Sequence, residues 1–125
     1  MARVVIVDDS LVARTQLRRI LTDAGHEIVG EAEDGQHAPQ VVNRAKPDLV
    51  TLDLIMPGRD GLATLNHLRK RDPELPVVVC SASATQRRVV DALRFGAKDF
   101  VAKPIDRSEL LRAVDGALAP RALAA

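Results

Sequence analysis

Three acidic side chains, one hydroxyl and one lysine stand where they could do chemistry together. Asp8 and Asp9 follow the apolar run RVVIV, Asp53 follows DLVTL, Ser81 follows PVVVC, and Lys103 follows DFVA. Clustered carboxylates repel one another, and a few hard oxygen ligands suit Mg²⁺, which keeps several waters and accepts a phosphate oxygen. A carboxylate can itself be the nucleophile that forms an acyl phosphate, while a cation, an ammonium and a hydroxyl stabilise the phosphoryl oxygens. We therefore interpret Asp53 as a phosphoryl acceptor beside a Mg²⁺ site.

An alternation of short apolar strands and helices must bring these residues together. Three of the strand segments are near-continuous β-branched runs, which are typical of a parallel sheet covered by helices on both faces. The predicted strands span residues 3–9, 27–33, 48–54, 76–82 and 99–104. The βα unit occurs five times, which predicts an α/β fold: a doubly wound, five-stranded parallel sheet of flavodoxin-like strand order 2-1-3-4-5. Ligands of such sheets bind off the carboxyl ends of the strands, where the five residues converge.

The segments between the strands carry apolar stripes at helical spacing. The stripes are Ala13, Leu17, Ile20, Leu21 and Ala24; Ala38, Val41, Val42 and Ala45; Leu62, Leu65 and Leu68; Val89, Val90 and Leu93; and Leu110, Leu111, Val114 and Leu118. We expect Arg14, Arg18 and Arg19 to lie off the first stripe. Gly25 is predicted to end the first helix, and Asp106 is predicted to cap the last.

Composition limits the classes of function. The chain has 125 residues, so a single domain is expected, and aromatic residues make up only 2%, so its core must be aliphatic. A net charge of +1 gives no electrostatic case for binding nucleic acid or a membrane. The single cysteine, Cys80, excludes an internal disulfide and fits a reducing compartment. The N-terminus lacks the pattern of a signal peptide and no segment is long enough to span a bilayer, so we expect a cytoplasmic protein.

The ordered set of motifs resembles the receiver domains of two-component response regulators, the CheY-like group. The matching motifs are the acid pair Asp8–Asp9, DLIMP with Asp53, SA at Ser81–Ala82 and KP at Lys103–Pro104. They occur in the family's order and spacing. The resemblance implies a receiver domain over residues 1–118, followed by a flexible tail or the start of a linker over 119–125. The segment DDSLVARTQLRRIL is similar to chemotaxis receivers, both stand-alone ones and those fused to a methylesterase.

This resemblance implies a role for each residue of the cluster. Asp53 would accept a phosphoryl group from a phosphohistidine of a sensor histidine kinase and become 4-aspartylphosphate. Asp8, Asp9 and Asp53 would hold Mg²⁺ together with the backbone carbonyl of Ile55. Lys103 would pair with a phosphoryl oxygen. The protein would then be a phospho-acceptor switch, not an enzyme acting on a separate substrate.

The resemblance also implies a conformational switch. Ser81 would bind a phosphoryl oxygen and move toward it, and Phe100 would turn inward behind it. These movements would reshape the face formed by the fourth helix, fifth strand and fifth helix, where a downstream protein would bind. The Lys103–Pro104 bond would be cis. The protein would be a monomer or a phosphorylation-dependent dimer, with no nucleic acid or membrane as a partner of this domain.

Two positions depart from the commonest chemotaxis pattern. Ile55 is apolar where a polar side chain is frequent, and Ser83 is small and neutral where an acid is frequent. We therefore predict that the lifetime of the phosphorylated form is not set by assistance from these two side chains to the attacking water.

Other interpretations are open for the individual residues. Asp8, Asp9 or Ser10 could cap the first helix, Asp53 could be an ordinary acid at a strand end, and Phe100 could belong to the core. Two other function classes compete: a Mg²⁺-dependent aspartyl-phosphate hydrolase of the haloacid-dehalogenase type, and a degenerate receiver that only binds partners. The first normally carries its acids as D-x-D, whereas they are adjacent here. A receiver module cut from a larger regulator, such as a chemotaxis methylesterase, is a further alternative.

Overall fold

The computed structural model describes residues 1–56 and 60–119. Its elements are β1 (Arg3–Val7), α1 (Leu11–Asp23), β2 (Glu27–Ala32), α2 (Ala38–Ala45), β3 (Leu49–Leu52), α3 (Gly61–Arg71), β4 (Val77–Ser81), α4 (Gln86–Arg94), β5 (Asp99–Ala102) and α5 (Arg107–Leu118). Residues 120–125 of the predicted tail lie outside the described residues. No helix within the described ranges has the length and apolar character needed to cross a bilayer.

The five strands form one parallel sheet in the order β2-β1-β3-β4-β5, which confirms the predicted fold. In the centre of the sheet, residues 4–7 of β1 pair with residues 49–52 of β3. Residues 50–52 of β3 pair in turn with residues 77–79 of β4. Because all strands run in one direction, the residues that follow β1, β3, β4 and β5 meet at a single edge.

Two hydrophobic cores cover the two faces of the sheet. One core joins α1 and α5 to alternate strand residues such as Val4, Ile6 and Cys80. The other joins α2, α3 and α4 to the intervening residues such as Val5 and Val79. Because both faces are covered, the three central strands β1, β3 and β4 are buried at nearly every position and read as near-continuous apolar runs.

Local signals mark the ends of α1 and the start of α5. The side chain of Ser10 accepts a hydrogen bond from the Ala13 N–H at the start of α1. The side chain of Asp106 accepts one from the Glu109 N–H at the start of α5. Gly25 follows α1 with a φ of 94°, a left-handed conformation that glycine adopts without steric strain. The predictions for Gly25 and Asp106 are therefore confirmed.

Gly61 permits a close approach between α3 and the segment that follows β3. A Cβ atom added at Gly61 would lie 2.3 Å from the Cα atom and the carbonyl oxygen of Leu54. No side chain fits there, so the first turn of α3 packs directly on the backbone one residue after Asp53.

The structure departs from the predicted faces of two helices, although the first four residues of the α1 stripe are buried as predicted. Arg14 is buried, although it was expected off the apolar stripe of α1, whereas Ala24 is exposed. In α4, Ala92 is the fully buried residue, and Val90 and Leu93 are 44% and 46% exposed. The small Ala92 faces the sheet, so the helix is rotated relative to the predicted stripe and its larger apolar residues point outward.

Candidate functional site

The carboxyl ends of β1 and β3 bring three acids into one cluster. Asp8 and Asp9 follow β1 directly, and Asp53 follows β3 directly. One carboxylate oxygen from each of the three lies within 4.8 Å of the other two. Asp8 and Asp53 are buried, whereas Asp9 is exposed. The cluster is therefore open to solvent on the side of Asp9.

Lys103, which follows β5, joins this cluster from the far edge of the sheet. Its Nζ atom donates a hydrogen bond to Asp8 Oδ2 at 2.7 Å and another to Asp53 Oδ2 at 3.1 Å. The side chain of Lys103 is 18% exposed. Because the lysine emerges just beyond an edge strand, it reaches both carboxylates across the end of β4.

Backbone N–H groups orient the two buried carboxylates. Asp8 Oδ1 accepts a hydrogen bond from the Ser10 N–H at 2.9 Å, and Asp53 Oδ1 accepts one from the Ile55 N–H at 3.0 Å. The second oxygen of each carboxylate accepts from Lys103. Both acids thus have one oxygen bound to their own loop and the other bound to the shared ammonium.

The cluster carries a net negative charge when its groups are ionised. Burial raises the pKa of Asp8 above its ordinary value of 3.8, and the hydrogen bonds from Lys103 and from the Ser10 N–H offset this only in part. Burial alone would lower the pKa of Lys103, but its hydrogen bonds to Asp8 and Asp53 and their charges raise it above 10.5. Three carboxylates face one ammonium, which leaves a formal charge of minus two when all are ionised.

This donor set fits Mg²⁺. It consists of hard carboxylate oxygens from Asp8, Asp9 and Asp53, and the exposed side of Asp9 leaves room for water. Mg²⁺ binds through one or two carboxylates and retains several waters, so a partly solvated cluster with excess negative charge suits it.

Of three further residues predicted for the site, Ser81 and Ile55 lie at the same edge, whereas Phe100 lies within β5. Ser81, the last residue of β4, is fully buried, and its hydroxyl oxygen accepts a hydrogen bond from the Ser83 N–H at 3.3 Å. Ile55 is tied to Asp53 by its N–H group, while its side chain is 48% exposed. Phe100 of β5 is half-buried and packs against the core formed by α2, α3 and α4. The Lys103–Pro104 peptide bond is cis.

The prediction from sequence missed one residue that contacts the cluster. Arg14 Nη1 donates a 2.7 Å hydrogen bond to the backbone carbonyl of Asp8. Helical spacing carried a signal for this burial, because Arg14 precedes the buried Leu17 by three positions and the buried Leu21 by seven. The positive charge of the side chain, by contrast, predicted an exposed position.

Comparisons with known proteins agree with this geometry. The family profile described as the response regulator receiver domain matches residues 4–115. The chemotaxis protein CheY of Listeria monocytogenes is 43% identical over 117 residues, which is 94% of this chain and 98% of that protein. A protein-glutamate methylesterase/protein-glutamine glutaminase of Koribacter versatilis is 44% identical over 111 residues, which is 86% of this chain but only 30% of that protein. Among solved structures, the CheX–CheY–BeF3–Mg complex from Borrelia burgdorferi matches with a TM-score of 0.91 and 36% identity, covering 94% of this chain and 90% of that chain.

Proposed function

The chain belongs to the response regulator receiver family, and on that premise we propose that Asp53 is the residue that accepts the phosphoryl group. The protein is a receiver domain of the phosphorelay type, related to the CheY proteins and to the receiver domains of the methylesterases. The observation that carries the assignment of Asp53 is its position beside Asp8 and Asp9 with Lys103 bound to one of its oxygens.

The proposed reaction moves one phosphoryl group between two proteins. A carboxylate oxygen of Asp53 attacks the phosphorus atom of a phosphohistidine on a sensor histidine kinase. The new O–P bond forms as the P–N bond breaks, and the imidazole leaves with the electron pair of that bond. The product is an acyl phosphate on Asp53. Lys103 lies beside the attacking carboxylate, where its ammonium can pair with a phosphoryl oxygen.

Mg²⁺ is the proposed cofactor. Asp8, Asp9 and Asp53 are proposed to hold it, together with the backbone carbonyl of Ile55 and water. When bound, it would neutralise charge on the carboxylates and on the phosphoryl oxygens. Asp8 and Asp53 already have one oxygen each bound by a backbone N–H, so they are oriented before the cation arrives.

The proposed output is a change in the face formed by α4, β5 and α5. Ser81 is proposed to bind a phosphoryl oxygen and Phe100 to move further into the core behind it, biasing an existing equilibrium between two states. In support, Phe100 is only half-buried, so part of its surface could still be removed from solvent. Val90 and Leu93 of α4 expose apolar surface next to arginines of the same helix, which would suit an acidic, partly apolar partner.

The proposed pathway is chemotaxis. The relatives named CheY support this assignment, and the Borrelia burgdorferi structure is a complex of CheY with CheX, so a CheX-like protein is one proposed partner. The exchange is proposed to take place in the cytoplasm, with no separate substrate turned over. A receiver that forms part of a methylesterase is the second candidate, supported by the match to the Koribacter versatilis protein. The hydrolase of the haloacid-dehalogenase type is not favoured, because the family comparisons point to receivers.

Mass spectrometry of the intact protein tests the acceptor. The chain is incubated with Mg²⁺ and acetyl phosphate, which is expected to give a single labile phosphoryl adduct. Asp53→Asn is expected to abolish the adduct, whereas Asp60→Asn, which alters an exposed acid capping α3, is expected to keep it. An undiminished adduct on Asp53→Asn would overturn the assignment. Rapid turnover of unrelated phosphate esters would favour the hydrolase instead.

A further inference from the structure

Arg14 is a buried cation at the start of α1 whose surroundings differ from those of its neighbour Arg18. The side chain of Arg14 is 9% exposed, whereas that of Arg18 is 48% exposed. Both guanidinium groups bind the carboxylate of Glu31 on β2, and Arg14 also lies 3.5 Å from the exposed Glu33. The contact that distinguishes Arg14 is its hydrogen bond to the backbone carbonyl of Asp8.

This contact clamps the backbone of the acid pair from two sides. The Asp8 N–H donates to the Ala32 carbonyl of β2 at 3.0 Å, and the Asp8 carbonyl accepts from Arg14 at 2.7 Å. The Asp8 carbonyl belongs to the peptide group that links Asp8 to Asp9. Because a peptide group is planar, fixing its oxygen also fixes the direction of the Asp9 N–H and limits the orientation of Asp9.

Asp9 depends on this peptide more than Asp8 does. The carboxylate of Asp8 is bound by the Ser10 N–H and by Lys103. Within residues 1–56 and 60–119, by contrast, no hydrogen bond or ion pair holds the carboxylate of Asp9. The backbone is therefore what directs this exposed carboxylate toward Asp8 and Asp53, within the 4.8 Å cluster.

We propose that Arg14 is a positioning residue, which fixes the Asp8–Asp9 peptide so that the Asp9 carboxylate stays directed at the cation. The inference rests on the proposed function, because it assumes that the acid cluster binds Mg²⁺. It assigns Arg14 no contact with the cation or with the phosphoryl group. Groups that orient a metal ligand without contacting the metal typically lower the metal affinity by about 10- to 100-fold when they are removed.

The sign of the effect separates positioning from plain electrostatics. Loss of a positive charge close to an acid cluster makes the site more negative, which by itself strengthens the binding of a divalent cation. If Arg14 positions Asp9, its replacement weakens binding despite this change in charge. A purely electrostatic role thus predicts a change in the opposite direction.

The test is a titration of the phosphate-free protein with MgCl2, followed by 1H–15N NMR. Arg14→Met is compared with wild type and with Arg18→Met, which removes a partner of the same Glu31 but leaves the Asp8 carbonyl bound. Arg14→Met is expected to weaken Mg²⁺ binding by about tenfold, and Arg18→Met by less than about threefold. Arg14→Lys, which keeps the charge and one or more donors, is expected to fall between wild type and Arg14→Met.

Each result bears on one hypothesis only. Binding by Arg14→Met within about threefold of wild type, or tighter, would overturn the inference. An equal loss in Arg18→Met would overturn it too, because the effect would then arise from Glu31. If urea denaturation shows that Arg14→Met is not folded, Arg14→Lys decides instead, and Mg²⁺ binding by Arg14→Lys that is no weaker than in wild type would overturn the inference. A wild-type protein that binds no Mg²⁺ would refute the proposed cofactor instead.

Discussion

Lys103 Nζ lies 2.7 Å from Asp8 Oδ2, nearer than its distance of 3.1 Å from the proposed acceptor Asp53. The shorter bond of this lysine is thus made with an acid proposed to hold the cation, not with the acid proposed to be phosphorylated. Lys103 can therefore turn one of its protons from Asp53 to an incoming phosphoryl oxygen while it stays anchored on Asp8. The resting site already holds the ammonium where the new charge would develop.

Replacement of Lys103 by methionine is expected to destabilise the Mg²⁺-free protein. Asp8 and Asp53 would lose their shared cation, and leaving a buried charge uncompensated costs about 3–5 kcal/mol. Because the side chain of Lys103 is 18% exposed, we expect a smaller decrease, about 2–3 kcal/mol, in the free energy of unfolding. Urea denaturation in the presence of a chelator measures it.

Lys98→Met is the matched control, because Lys98 is an exposed lysine just before β5. Its free energy of unfolding should change little. Added Mg²⁺ should restore part of the stability of Lys103→Met, because it is proposed to bind the folded cluster and not the unfolded chain. A variant as stable as wild type without Mg²⁺ would contradict the prediction.

Asp8→Asn is expected to change how stability depends on pH. Burial raises the pKa of Asp8 in the folded chain, so the folded chain binds this proton more tightly than the unfolded chain does. The free energy of unfolding therefore falls as pH rises from 3.8 through the raised pKa, and the loss persists at higher pH. Asp8→Asn has no such loss, so without Mg²⁺ its stability relative to wild type should increase across this window.

Urea denaturation at a series of pH values, with chelator, checks this sign. The same variant should lose stabilisation by Mg²⁺, since it lacks one of the proposed ligands. If the difference in the free energy of unfolding between variant and wild type is constant across this pH window, the ionised form of Asp8 does not destabilise the folded chain, which would contradict the prediction.

Ile55→Ala is expected to leave the lifetime of the phosphorylated protein nearly unchanged. Ile55 is 48% exposed and offers no group that could orient water, and its tie to Asp53 uses the backbone N–H, which alanine retains. We expect a change of less than about twofold in the rate of dephosphorylation, equal to less than about half a kcal/mol in the barrier. Decay of the adduct, followed by mass spectrometry after removal of the phosphoryl donor, measures it. Ser83→Ala should behave alike, and a tenfold change in either would contradict us.

Leu68→Ala and Leu93→Ala should differ widely in stability. Leu68 of α3 is 2% exposed, whereas Leu93 of α4 is 46% exposed. Truncation of a buried leucine costs about 2–5 kcal/mol, so Leu68→Ala should lie in that range. For Leu93→Ala we expect less than about 1 kcal/mol. Equal losses in urea denaturation would mean that α4 buries the stripe that its sequence predicts.

Elements with strong local signals could be predicted from the sequence. β1, β3 and β4 are near-continuous apolar runs, and the parallel direction of the strands predicts that the residues at their carboxyl ends lie together. The gathering of Asp8, Asp9, Asp53 and Lys103 at one edge is a consequence of that topology. Their distances and bonds depend on three-dimensional packing and could not be obtained in this way.

The two failures concern which side chains of a helix are buried: the orientation of α4 about its axis, and the burial of a single arginine in α1. In α4, Ala92 and the larger Val90 and Leu93 are all apolar, and hydrophobicity alone does not say which of them faces the sheet. In α1, the charge of Arg14 suggested a solvated position. The guanidinium can be buried because it donates hydrogen bonds to the carboxylate of Glu31 and to the backbone carbonyl of Asp8. Neither acceptor belongs to α1, so the spacing of residues within the helix does not reveal them.

The position of β5 late in the sequence has a consequence for the order of events during synthesis. A ribosome releases β1 and β3 before β5, so the acids of the cluster leave it well ahead of Lys103. A partly synthesised chain could already pair β1 with β3, yet it would lack the ammonium that both buried carboxylates bind. Because Lys103 is proposed to pair with the phosphoryl group, competence for phosphorylation is expected to arise late, when β5 adds to β4. On the proposed function, a nascent chain would accept no phosphoryl group before the proposed partner-binding face of α4, β5 and α5 has formed.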